Sequence, residues 1–205
     1  MSIPSGLTTL AQALYFQNSS TIARDMPTKT TKQKRALFLT ADKFEDFELF
    51  VPYFRLLEAG VDVDIAGPAK GMISGEHGYG LKISKTFSDV DPSDYDLLVI
   101  PGGFPDGAPL TVRNDKRAVA IAKQFMTDKK SVASICHGPW TLASADVVKG
   151  RRVTSFWHDG VPEDLKTAGA IWKDESVVVD GNLVTSRWPM DLPDFCREMM
   201  RLLKR

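Results

Sequence analysis

The 205-residue sequence carries two cysteines, Cys136 and Cys196. Two thiols make no disulfide framework, and a chain that leaves them free suits a reducing compartment, with the cytoplasm the first expectation. Charge of either sign is not in excess: 26 Lys and Arg balance 26 Asp and Glu. That removes the basic footprint of a nucleic-acid or anionic-membrane binder, so neither is expected as a partner. No apolar run approaches the ~18 residues of a membrane span. There are three histidines, His77, His137 and His158. Scattered singly, with no paired cysteines, they show no metal-ligand spacing, and no metal is expected. No glycine-rich phosphate or dinucleotide loop follows a strand, so no nucleotide cofactor is implied and the cofactor expectation is none. Chemistry has to come from side chains.

Residues 1–34 are rich in Ser, Thr and Gln and lack a hydrophobic period. They read as a flexible N-terminal extension, closed by the solvated linker Met26-Pro-Thr-Lys-Thr-Thr-Lys-Gln-Lys34. The first 24 residues hold no acid and a single Arg, which leaves organellar targeting as a weak alternative. One domain over 35–205 is expected from the remaining length and from the 43% apolar content.

From Arg35 onward, strand and helix patterns alternate. Arg35-Ala-Leu-Phe-Leu-Thr40, Val61-Asp-Val-Asp-Ile-Ala66, Leu97-Leu-Val-Ile100 and Ser131-Val-Ala-Ser-Ile135 read as strands. Phe47, Phe50, Val51, Phe54 and Leu57 recur at helical spacing, and Gly60 stops that helix. A second helix is expected over 116–127 and a third over 140–145. A hairpin turning at Asp180-Gly181 follows, and a last helix covers 191–203. Residues 71–90 read as a small hairpin excursion. Repeated strand–helix units predict an α/β fold with a mostly parallel sheet sandwiched between helices. Sites in such sheets lie beyond the carboxyl ends of the strands.

At those ends stand three features. The first is Ile135-Cys136-His137-Gly138-Pro139, a strand running into a Cys and then directly into a helix. That geometry lifts a sulfur above the sheet, as the strand-to-helix turn of serine hydrolases lifts a hydroxyl. Backbone N–H groups and the helix dipole there favour a thiolate, so a depressed thiol pKa is expected. Cys196, on the apolar stripe of the last helix, is expected to be core. The second feature is Gly102-Gly103 after an apolar strand. It is either a plain turn or a backbone able to approach substrate and donate an N–H to an oxyanion, with the His137 N–H as a second donor. The third is Glu45 in Ala41-Asp-Lys-Phe-Glu-Asp-Phe-Glu48. A carboxylic acid beside a thiolate would stay protonated and could donate a proton. Charge alone does not separate Glu45 from Asp42, Asp46 and Glu48, which equally suit a helix N-terminus. His137 is either the base or turned away toward a carboxylate.

These motifs resemble the PfpI family of the DJ/PfpI superfamily, within the class I glutamine-amidotransferase-like fold. The resemblance rests on Phe44-Glu-Asp-Phe-Glu48, Val51-Pro-Tyr-Phe-Arg55, Gly75-Glu-His-Gly-Tyr79, Pro101-Gly-Gly103, Ala133-Ser-Ile-Cys-His-Gly-Pro139, Val178-Val-Asp-Gly-Asn182 and Thr185-Ser-Arg187. It implies a flavodoxin-like, doubly wound sheet with Cys136 as nucleophile, Glu45 as the acid hydrogen-bonded to its sulfur, Gly103 as oxyanion donor and His137 beside the Cys. It further implies an acid delivered to His137 by a neighbouring subunit. Asp106, in a lengthened Phe104–Arg113 loop, is the best match for that acid. Family resemblance also implies a homo-oligomer, a dimer or hexamer. The activity implied is cofactor-free and cysteine-dependent, on small carbonyls as a glyoxalase or deglycase. Intracellular peptidase activity is the second reading, and a redox sensor or holdase the third.

Overall fold

The structure, a computed structural model, describes residues 33–204. The expected extension over 1–34, with its targeting alternative, therefore lies almost wholly outside the described residues. No described helix is long and apolar enough to cross a membrane.

The strands in chain order are β1 (Arg35–Leu39), β2 (Asp62–Gly67), β3 (Gly71–Ser74), β4 (Gly80–Ile83), β5 (Lys85–Thr86), β6 (Leu97–Ile100), β7 (Ser131–Ile135), β8 (Arg152–Val153), β9 (Ile171–Trp172), β10 (Val177–Asp180) and β11 (Leu183–Ser186). Seven of them form one sheet in the order β10-β11-β7-β6-β1-β2-β5. Every pairing in it is parallel except the β10–β11 hairpin. The fold is flavodoxin-like α/β. β6 is buried along its whole length, as a parallel strand covered on both faces must be, and its unbroken Leu-Leu-Val-Ile run follows from that.

Helices α1 (Asp46–Glu58), α2 (Ala108–Asn114), α3 (Lys116–Thr127), α4 (Pro139–Ser144), α5 (Val161–Thr167) and α6 (Leu192–Leu203) cover the sheet. One face packs Leu49 and Leu56 of α1 with Phe195 and Met199 of α6 against Phe38, Val99 and Ala133. The other packs Val112, Ala118, Phe125, Leu142 and Leu165 of α2 to α5 against Leu37, Leu98 and Val132. The two sides of each strand thus feed separate cores, which is the period-2 alternation of a central strand.

The α1 stripe departs from the expectation of its spacing. Phe47, Val51 and Phe54 are 52%, 41% and 47% exposed. The face turned inward carries Glu48, Leu49, Pro52 and Leu56. The short helices α2 and α5 and the β8–β9 pair had no clear hydrophobic period to announce them. Both helices open on a proline in the first turn, where the missing N–H costs nothing.

Candidate active site

Strands β7, β6 and β1 are neighbours in the sheet. Their carboxyl ends bring three chain-distant segments to one place: Cys136-His137-Gly138, Gly102-Gly103 and Lys43–Glu48. Cys136 sits in the left-handed region at φ 62°, a conformation that costs a non-glycine residue roughly 1–3 kcal/mol. The turn is held by hydrogen bonds from Cys136 N to Ser186 O (3.1 Å), Gly138 N to Ile135 O (2.8 Å) and Phe156 N to Cys136 O (3.0 Å). Gly138 is needed for space. A Cβ there would lie 2.3 Å from Ile100 O and 2.6 Å from Ser134 Oγ.

Glu48, not Glu45, occupies the position beside the sulfur. Glu45 is the N-cap of α1, and its Oε2 accepts the N–H of Glu48 at 2.7 Å. Glu48 is fully buried. Its Oε2 accepts the Gly102 N–H at 2.8 Å, and its carboxyl interacts directly with the Cys136 thiol. Packing at Gly102 shows how tight the convergence is. A Cβ there would stand 2.6 Å from Glu48 Oε2, 2.6 Å from Cys136 Cβ and 3.0 Å from its Sγ. Glu48 Oε1 has no protein partner. Sequence does hold a signal for Glu48, since it falls on the same helical face as Leu49, Pro52 and Leu56. An acid within a buried stripe is costly unless it is used.

Burial pushes the Glu48 carboxyl well above its ordinary range, with Glu45 adding repulsion. Burial first, and the Glu48 charge second, push the Cys136 thiol up as well, while the His137 N–H pulls it down. The expected depressed thiol is thus reversed in direction. Desolvation is the largest cause, and two adjacent buried acids cannot both ionise.

His137 Nδ1 lies 3.2 Å from Cys136 Sγ. On its other side Nε2 lies 3.0 Å from Asp159 Oδ2. Burial lowers the His137 pKa and Asp159 raises it in part. The carboxylate opposite His137 therefore comes from the same chain. Asp106 does not take that place: it pairs with Lys43 at 3.0 Å and its side chain is 72% exposed. Asp159 was hidden in a loop with no periodic context. Its only local sign is the dipeptide Asp159-Gly160, both with positive φ in the structure. Phe156 and Trp140 flank the imidazole, with ring centroids 4.9 and 5.3 Å away.

Of the expected oxyanion donors, the Gly102 amide is taken by Glu48, while the His137 N–H acts on the Cys136 sulfur. At Gly103 φ is 150°, and a Cβ there would stand 2.4 Å from Lys43 O, so a side chain is unacceptable at this position. Glu76, on the Gly75–Tyr79 turn, is a further acid at the site. Its charge reaches both Glu48 and Cys136, and burial with the nearby Glu45 carries its pKa to about 7. Cys196 is buried and burial raises its thiol to about 11. Among the described residues, no three His, Cys, Asp or Glu side chains are grouped to hold a metal ion.

A flavodoxin-like sheet with a cysteine on a strained strand-to-helix turn at its carboxyl edge defines a class of α/β enzymes. Within that class the chain belongs to the DJ-1/PfpI family, whose family model matches residues 34–202. Deglycase PfpI of Pyrococcus furiosus is 50% identical over 170 residues, which cover 83% of this chain and 99% of that protein. YraA of Bacillus subtilis, a candidate cysteine protease by its name, is 44% identical over 172 residues, covering 83% of this chain and 98% of the other. The crystal structure of a ThiJ/PfpI domain protein from Brachyspira murdochii superposes with a TM-score of 0.78 at 27% identity, covering 85% of this chain and 98% of that one.

Proposed function

We propose that the chain is a cofactor-independent enzyme of the glyoxalase or deglycase type, with Cys136 as nucleophile toward reactive carbonyls. The observation that carries this reading is the convergence of a buried thiol, a His137–Asp159 pair and the buried Glu48 carboxyl around Gly102. His137, kept neutral by burial, takes the thiol proton. The sulfur adds to the aldehyde carbon of an α-oxoaldehyde. A C–S bond forms and the carbonyl electron pair moves to oxygen, facing the Gly103 N–H. Glu48, protonated at rest, gives that oxygen a proton. As carboxylate it then removes the proton on C1 and delivers it to C2, while the hydroxyl proton passes from O1 to O2. The product is a 2-hydroxyacyl thioester. Water cleaves it, releases the 2-hydroxy acid and restores the thiol, and the proton held by His137 returns to Glu48. Methylglyoxal plus water thus becomes lactic acid. Glu48 takes the acid–base role expected of Glu45, and Asp159 takes the orienting role expected of Asp106.

The test is lactate release from methylglyoxal by the native chain, Cys136→Ser and Glu48→Gln. Both variants should lose turnover by at least a hundredfold. Turnover surviving in Cys136→Ser would refute the reading. A second reading, peptide hydrolysis, draws on the Cys136–His137–Asp159 order of contacts, which suits acyl transfer. Cleavage of casein, abolished in Cys136→Ser and in the absence of lactate release, would favour it. The proposal includes a homo-oligomer, supported by the exposed face of Phe47, Val51, Phe54 and the 72% exposed Met190. It also includes a reducing, cytoplasmic setting, supported by two free cysteines.

A further inference from the structure

Arg113 takes no part in the reaction just described, yet its contacts reach both halves of the His137–Asp159 pair. It stands in the last turn of α2, where the helix dipole favours a cation. Helix α4 packs against both α2 and α5, and the Arg113 side chain bridges those two outer helices. Its Nη1 donates to Asp164 Oδ2 at 2.9 Å. Asp164 lies in the first turn of α5. The Asp164 N–H donates to Gly160 O at 3.0 Å, and the Val161 N–H to His158 O at 3.2 Å. Those bonds tie the start of α5 to the turn that carries Asp159. The guanidinium carbon Cζ lies over the Trp140 indole, 4.7 Å from the ring centroid, which is a cation–π distance. The same indole lies 5.3 Å from the His137 imidazole, centroid to centroid. Trp140 is buried and its Nε1 meets no protein acceptor, so packing rather than a hydrogen bond fixes the ring.

We propose that Arg113 is a positioning residue: by holding Trp140 with one contact and Asp164 with the other, it keeps the His137 ring and the Asp159 carboxylate at hydrogen-bonding distance. For turnover this deepens the carbonyl reading above and rests on it; the positioning itself does not. Stability gives no reason for the arrangement. The Arg113 and Asp164 side chains are 22% and 46% exposed, and such a pair contributes little. Geometry does give one. Asp159 stands on a turn with its side chain 43% exposed, so its aim depends on where α5 begins. The imidazole touches Cys136 Sγ and Asp159 through its nitrogens, and Trp140 and Phe156 pack beside it. A shift of about 1 Å in either partner breaks a hydrogen bond of this kind. Arginine suits the task because its plane stacks on an indole while its edge bonds a carboxylate.

Two measurements test it. The first is independent of turnover: the His137 pKa, read by NMR titration of the imidazole in the native chain, Arg113→Met and Arg113→Lys. Its sign separates two explanations. Loss of a nearby positive charge alone raises the pKa of an imidazole. Loss of Asp159 from its side lowers it, since Asp159 holds the His137 pKa up. Arg113→Met should lower it by about 0.5. Arg113→Lys, with the charge kept and the plane lost, should lower it by about 0.3, and it serves if Arg113→Met does not fold. The second measurement is lactate release from methylglyoxal. Arg113→Met should lose about tenfold in kcat with KM within about twofold, and the acid limb of its pH–rate profile should move to lower pH. On an Asp159→Asn background the same substitution should cost less than about threefold, because the pair it aligns is already gone. A His137 pKa unchanged or raised in both variants overturns the inference whatever the turnover shows. So does the full kcat loss persisting on the Asp159→Asn background. A lowered His137 pKa with no lactate from the native chain upholds the positioning and overturns the carbonyl reading.

Discussion

Asp159→Asn separates a relay built within one chain from one completed by a neighbour. Asp159 stands at φ 59°, a region that Asn tolerates as well as Asp, so the backbone is left in place. The variant removes one charge from a contact of 3.0 Å with His137 Nε2. At that distance an ion pair is worth ~1.4 kcal/mol in bulk water and ~5.5 kcal/mol at an effective dielectric constant of ~20. The Asp159 side chain is 43% exposed, so screening places the value toward the lower part of that range, about 2–3 kcal/mol. In the proposed reaction that charge is needed when His137 becomes an imidazolium on taking the thiol proton. The expected loss in kcat/KM is therefore about 30–150-fold. Because Asp159 raises the His137 pKa, removing it should also move the acid limb of the pH–rate profile to lower pH. Asp106→Asn should stay within about twofold of the native chain, as an exposed pair with Lys43 is worth little. Steady-state lactate release across pH, at protein concentrations spanning a hundredfold dilution, reads all of this. Activity per chain should not change with dilution. An Asp159→Asn enzyme within threefold of the native one, or a larger loss in Asp106→Asn, would refute the in-chain relay.

Glu45→Ala should cost ~1 kcal/mol of stability in urea unfolding through loss of the α1 cap, and leave turnover within about fivefold. A hundredfold loss would return the acid–base role to Glu45. Gly138→Ala should destabilise by ~2–3 kcal/mol or more, since the added carbon meets backbone oxygens of Ile100 and Ile135. Displacement of Cys136 should lower turnover of the folded fraction about a hundredfold, as active-site titration against soluble protein would show. Glu76, whose pKa rises from 4.5 to about 7 on folding, binds protons more tightly in the folded state. Its contribution is present below pH ~4.5 and lost as pH rises through ~7. Glu76→Gln should therefore stabilise the fold at pH 8 by ~1–2 kcal/mol, discounted for its partial exposure, and leave it unchanged at pH 4.5. A pH-independent difference in thermal or urea midpoints would contradict this.

Two kinds of information decided this protein's form. Sequence by itself determined what local pattern can determine. Leu97–Ile100 is apolar at every position because a central parallel strand is buried on both faces, and Ser131–Ile135 runs into Cys136 without a linker because strand, turn and helix are contiguous. The hairpin at Asp180-Gly181 and the helix over Lys116–Thr127 carry their own turn chemistry and period. Cys136, His137, Gly102 and Gly103 were legible for the same reason. Only tertiary structure chose among residues that are alike in sequence. Glu45 and Glu48 are both acids at the start of one helix, yet the cap geometry spends Glu45 on a backbone N–H and the 3.6-residue turn points Glu48 at the thiol. Asp106 and Asp159 are both loop acids, and the fold pairs one with Lys43 and the other with His137. The face of α1 that enters the core was set by packing on β2 and α6, which left the larger aromatic stripe outside. Even the direction of the Cys136 pKa was a tertiary matter. A helix N-terminus is written in the chain, whereas desolvation and a neighbouring buried acid arise only when strands distant in sequence end side by side.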